Sequence, residues 1–153
     1  MKQTLQIGDH ILVNKFIYGI KIPYLQKTII PVKNPQRGDI IVFRDPRDGD
    51  RKLIKRVIGL PGEVLEIKNG QVFINDRRLQ ESYIQAMSQR SRPPIPIPAD
   101  QYFVMGDNRN NSSDSRDWGT LPQKEIVGKA WLTYWPPSLW GIVPHEVYEG
   151  MAP

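Results

Sequence analysis

Two segments carry side chains whose types and spacing could do chemistry. The first is Lys55, set in Lys52-Leu53-Ile54-Lys55-Arg56-Val57-Ile58, a run whose β-branched and apolar residues favour a strand. On a strand Leu53, Lys55 and Val57 share one face, and Ile54, Arg56 and Ile58 share the other. An amine among same-face apolar residues is either a gatekeeper on an edge strand or a partly buried base, because burial disfavours the ammonium form. The second segment is residues 106–119, GDNRNNSSDSRDWG, which follows the apolar Tyr102-Phe103-Val104-Met105. Its hydroxyls, amides and carboxylates suit either a solvated surface loop or a site for nucleophilic and acid–base work. Composition alone does not choose between them.

Other chemistries lose ground quickly. With Cys at 0, thiol catalysis, disulfide scaffolds and Cys-based zinc sites are excluded. His10 and His145 lie far apart with no partner at metal-ligand spacing, so surface or structural roles are expected for both. No glycine loop of the Walker or dinucleotide type is present. The Gly-Asp pairs at 8–9, 38–39, 49–50 and 106–107 read first as turns, and the carboxylates form no tight pair. Lys plus Arg at 21 against Asp plus Glu at 16 gives a net charge of +5. The basic residues are scattered, with short doublets such as Lys55-Arg56 and Arg77-Arg78, so a solvated basic face is expected rather than a nucleic-acid footprint.

The elements that must position Lys55 and the polar loop are mostly strands. The chain of 153 residues, 39% hydrophobic and 24% charged, has the length and composition of about one globular domain. It lacks the roughly 20 apolar residues of a membrane-spanning helix, and residues 1–7 hold no apolar stretch of the secretory-signal type. Ile40-Ile41-Val42-Phe43, the run around Lys55, Val64-Leu65-Glu66-Ile67, Val72-Phe73-Ile74, Tyr102 to Met105 and residues 130–135 read as strands between Gly, Pro, Asn and Asp punctuation. Asn69-Gly70 predicts a tight hairpin, since both residues readily adopt positive φ. No helical apolar periodicity extends over a dozen residues. The fold class is therefore mainly β, with antiparallel sheets. Residues 88–98, with Pro93, Pro94, Pro96 and Pro98, read as an exposed connection that closes an insertion, because proline cannot sit in a central strand.

These residues resemble the bacterial type I signal peptidases (leader peptidases). Residues 106–119 are similar to the signature loop of that family. Three more segments resemble family boxes in the same order: residues 4–9 (TLQIGD) the piece after the catalytic serine, residues 37–43 (RGDIIVF) the next box, and residues 54–62 (IKRVIGLPG) the box holding the catalytic lysine. The resemblance implies a Ser–Lys dyad in which Lys55 is the general base and Ser112 hydrogen-bonds and orients its amine. It implies that Asp114 and Arg116 form a charged pair supporting the loop, with Asp107 the acidic residue at its start. Leu5, Val42 and Ile54 become apolar walls of shallow pockets for small residues, typically Ala-X-Ala, or alternatively ordinary core. The resemblance implies no cofactor and no metal.

It also implies a catalytic β core at residues 1–62 plus 101–146, an inserted hairpin with its Pro-rich connection at 63–100, and a tail at 147–153. The partners it implies are the signal peptides of exported preproteins and a membrane surface, not nucleic acid. The place would be the bacterial plasma (inner) membrane, with the catalytic region on the extracytoplasmic side. Trp131, Trp135 and Trp140 are candidates for membrane contact, with core packing as the alternative. Aligning Thr4 to the family's Ser-Met-x-Pro-Thr pattern puts the nucleophilic serine one position before Met1, with Gln3 where the proline usually stands. A second serine, for the oxyanion, would lie two residues further upstream. The expectation is thus a fragment without nucleophile or anchor that does not cleave by itself. Two alternatives are a related Ser–Lys processing peptidase with one dedicated substrate, and a non-enzymatic basic β module that binds nucleic acid or anionic lipid.

Overall fold

The apolar runs at 40–43 and 53–58 form the central hairpin, β2 (Ile40–Asp45) and β3 (Asp48–Gly59), in register from Ile40↔Arg56 to Arg44↔Lys52. The structure, a computed structural model, describes residues 5, 8–18, 33–84 and 88–148. Residues Thr4, Gln6 and Ile7 of the first resembling segment, Gln3, and positions 149–153 of the expected tail lie outside them. Besides β2 and β3 the strands are β1 (His10–Asn14), β4 (Val64–Lys68), β5 (Gln71–Ile74), β6 (Arg77–Arg78), β7 (Arg92–Pro96), β8 (Gln101–Met105), β9 (Leu121–Pro122), β10 (Ile126–Trp135) and β11 (Gly141–Ile142). A seven-stranded sheet runs β1-β10-β2-β3-β8-β9, with β11 paired to β10, and a four-stranded sheet runs β6-β5-β4-β7. All these pairings are antiparallel, as the mainly β reading requires.

The β4–β5 hairpin turns at Asn69 (φ 47°) and Gly70 (φ 80°), the two positive φ values its sequence predicts. Its alternation places Leu65, Ile67, Val72 and Ile74 in the core. They pack with Ile58, Phe103 and Met105 of the larger sheet, so one apolar cluster joins the two sheets.

The proline-rich stretch departs from its expected role as a bare connection. Its residues 92–96 form β7, paired to β4 through Leu65↔Ile95 and Ile67↔Arg92. Proline is tolerated because β7 is an edge strand, where a missing donor breaks no ladder on the open side. The polar loop also holds one helical turn, α1 (Ser115–Trp118), capped by the Asp114 carboxylate accepting from Arg116 N at 3.2 Å.

Both histidines have the expected non-catalytic surroundings. His145 Nδ1 accepts from Ile40 N at 3.0 Å and Nε2 lies 2.9 Å from Ala130 O, which fastens the chain after β11 to β2 and β10. His10 is exposed and meets Tyr134 edge-on. Trp131, Trp135 and Trp140 are 53%, 52% and 72% exposed, which overturns the core alternative for them.

Candidate active site

Lys55 lies opposite Ile41 on β3, with its side chain on the face that carries Leu53, Val57, Phe43 and Val104. It is half-buried, and among the described residues its amine has no ion pair or hydrogen bond. Burial is the main influence on its pKa and lowers it below the ordinary 10.5. Asp114 and Asp107 oppose that shift, while the positive charges of Arg51 and Arg116 add to it. The environment therefore favours the neutral amine, the only form that accepts a proton.

The 106–119 loop closes over this lysine. Gly106 follows Met105 at the end of β8, and a Cβ there would collide with the Ser112 hydroxyl and stand 3.7 Å from Lys55 Cδ. Lys55 and Ser112 thus converge on one glycine that leaves room for both. Ser112 Oγ is buried and reaches no hydrogen-bond partner of normal geometry, although the hydroxyl is near enough to Asp114 to favour its carboxylate. A buried hydroxyl in that position is poised for an incoming acceptor or amine.

Arginine–carboxylate pairs set the loop's shape. Asp114 accepts from Arg116 Nε and a terminal Arg116 nitrogen, both at 2.8 Å, and from Gly106 N at 2.9 Å. Burial opposes its ionisation, but the Arg116 hydrogen bond and charge and the Gly106 amide outweigh that and hold the carboxyl below its usual range. Asp107, fully buried, takes two bonds from Arg56, from Nε at 3.0 Å and from a terminal nitrogen at 2.9 Å. Arg56 also donates to Gly38 O at 2.9 Å and lies 4.0 Å over the Tyr83 ring. Ser115 Oγ accepts from Val104 N, which ties α1 to β8.

Leu5, Val42 and Ile54 also come together. Val42 pairs with Ile54 across β2 and β3, and Ile54 packs on the cluster holding Leu5 and Ile40. The pleat puts Ile54 on the face opposite Lys55. Between the two faces runs an open edge: β8 covers β3 at Arg56, Val57 and Gly59, and among the described residues Asp48 to Lys55 pair with β2 alone. Unpaired backbone groups along such an edge can accept an extended peptide as an added strand.

Two carboxylates escape a sequence reading, Glu81 and Glu63, the partners of Arg109 and Arg37. Arg37 donates to Glu63 at 2.9 Å, and Arg109 to Glu81 at 2.9 Å. The signal for such pairs is an arginine like Arg56, since a guanidinium on an apolar strand face demands a buried partner. Nothing local says which carboxylate supplies it.

A family model described as signal peptidase, peptidase S26, matches residues 1–135. Signal peptidase I of Pseudomonas fluorescens is 39% identical over 91% of this chain, and the probable signal peptidase I-1 of Synechocystis is 43% identical over 92% of it. The chain spans 64% of the length of the first relative and 69% of the second. Among solved structures, a signal peptidase I from Enterococcus faecalis is 35% identical, with a TM-score of 0.56 over 63% of this chain and 97% of that one.

Proposed function

Because this chain belongs to the signal peptidase family, peptidase S26, we propose that it forms the catalytic region of a membrane-associated serine endopeptidase that removes N-terminal signal peptides from exported preproteins. Lys55 is the general base. The observation that carries this reading is the convergence of a half-buried amine, depressed in pKa by burial, and an unpartnered buried hydroxyl at Gly106 beside the open edge of β3.

The substrate adds as a strand along that edge. In an extended peptide the residues one and three positions before the scissile bond share a face, while the one between them faces the other way. Leu5, Val42 and Ile54 then wall the side that takes the two small side chains, which explains an Ala-X-Ala preference. The nucleophile is the serine that the family pattern sets directly ahead of Met1. Its hydroxyl proton passes to the neutral Lys55 amine as Oγ bonds the carbonyl carbon, and Lys55 returns that proton to the leaving amine as the C–N bond breaks. Water, deprotonated by the same amine, then releases the acyl group. Ser112 and the Asp114–Arg116 pair hold Lys55 and the loop in place. The exposed tryptophans on β10 and after it suit contact with the outer surface of the plasma membrane, where such substrates emerge.

The test extends residues 1–153 at the N-terminus with the family pattern ending in serine, and supplies a preprotein ending its signal in Ala-X-Ala. Cleavage is expected from the extended chain and is lost in Lys55→Ala and in Lys55→Arg, whose guanidinium keeps its proton. Cleavage that survives Lys55→Ala ends this mechanism. Binding of the chain to nucleic acid with a steep salt dependence, and no cleavage by the extended chain, supports the non-enzymatic basic module instead.

A further inference from the structure

The inserted segment reaches the catalytic loop through Glu81, and the β3 arginine that supports that loop through Tyr83. Glu81 takes both terminal nitrogens of Arg109. The side chains of this pair are 6% and 1% exposed, so the contact is shielded from water. Arg109 spends its Nε on Gly106 O at 3.2 Å, and its own carbonyl accepts from Arg116 at 2.8 Å. Tyr83 donates to Glu81 at 2.6 Å, and its ring lies under Arg56, the partner of Asp107. Both arginines that anchor the start of the 106–119 loop are therefore seated on one tripeptide from outside that loop.

We propose that Glu81 is a positioning residue for the site: through Arg109 it fixes the carbonyl of Gly106 and with it the backbone on which Ser112 and Lys55 converge. This rests on Lys55 being the base. Gly106 bonds on both sides, its N–H to Asp114 and its carbonyl to Arg109, so its peptide planes are clamped from the loop and from the insertion at once. Releasing the outer clamp lets Gly106 turn, Ser112 withdraw and water reach the Lys55 amine. The charged groups around the amine, Asp114, Asp107, Arg51 and Arg116, all remain, so the change acts through geometry and solvation rather than through a lost neighbour charge. Glu81 itself touches no substrate. The insertion is in this reading part of the catalytic machinery, not an appendage that the active site would tolerate losing.

Glu81→Gln preserves shape and removes the charge that holds Arg109. In the serine-extended chain this substitution should lower kcat roughly tenfold to a hundredfold, the scale of an ångström-sized misplacement, with KM little changed. The pH at which Lys55 reacts with acetic anhydride, followed by mass spectrometry of its peptide, should move up toward the ordinary 10.5. Arg109→Lys, which lacks the Nε donor to Gly106, should behave alike, and the double variant should be no worse than the poorer single one, since both break one clamp. If Glu81→Gln and Arg109→Lys lower the melting midpoint but leave kcat and the Lys55 titration unchanged, Glu81 is merely structural and the proposal is overturned. Independent, multiplying losses in the double variant overturn it equally. Cleavage that ignores Lys55→Ala removes the base reading and this proposal with it, whereas cleavage that needs Lys55 but ignores Glu81→Gln removes this proposal alone.

Discussion

A lysine whose folded pKa lies below 10.5 burdens the folded state whenever it is protonated. Below the folded pKa both states carry the proton, and the native state bears the whole cost of an ammonium in apolar surroundings. Between the folded pKa and 10.5 the unfolded chain holds more protons than the native one, so stability climbs with pH. Above 10.5 neither state is charged and the cost is gone. Lys55→Met should accordingly raise the melting midpoint most at neutral pH, with the advantage shrinking as pH approaches 10.5. A midpoint difference that stays flat from pH 7 to beyond 10.5 would show that Lys55 sits in water-like surroundings. Asp114 runs the other way: its carboxyl is held low, so its contribution is present above the ordinary 3.8 and fades as acid protonates it. Asp114 ionised and Lys55 neutral coexist on the alkaline side of both folded pKa values, and the lowered lysine pKa brings that condition to lower pH.

At the level of elements, what could be read from sequence was what is local. The Asn69-Gly70 turn depends on two adjacent residues, and both adopt the positive φ expected. The glycine is required twice over, since a Cβ there would also run into the Ser88 carbonyl. Gly70→Ala should cost about 1–3 kcal/mol in urea unfolding, the usual range for a strained backbone position. Gly49→Ala is the matched control: its φ is not positive and no atom stands within 4 Å of the added methyl, so it should be near neutral. Equal effects of the two would mean the turn is not under the constraint described. By contrast β7 was hidden, because whether a proline run can be a strand depends on lying at a sheet edge beside β4, some 30 residues earlier. The same distance problem hid Glu81 and Glu63, whose arginines were visible but whose pairing is tertiary. The open edge of β3 was equally unreadable, since it exists only because β8 stops short of Lys55. Lys55 and the 106–119 loop stood out by residue type, while their meeting at Gly106 needed the fold.

For the molecule as a whole, the question is what its apolar surface is for. Trp131, Trp135, Leu139, Trp140 and Ile142 are all exposed and lie on β10, the turn after it and β11, and Leu12 on neighbouring β1 is exposed too. Indole rings favour the region between lipid headgroups and acyl chains, and a cluster of them outside a core marks an interaction surface. No helix among the described residues is long and apolar enough to cross a membrane. The net charge of +5 gives a second, separable attraction to anionic headgroups. Salt distinguishes them: at 1 M the Debye length falls to about 3 Å, which removes the charge contribution and leaves apolar insertion largely intact. Binding to anionic vesicles should therefore weaken but persist in high salt, and binding to zwitterionic vesicles should change little with salt. Replacing Trp131, Trp135 and Trp140 together with serine should abolish the salt-resistant part and leave a purely electrostatic, salt-sensitive remainder. Vesicle co-sedimentation in which the triple variant matches the parent at 1 M salt would rule out this face as the membrane contact.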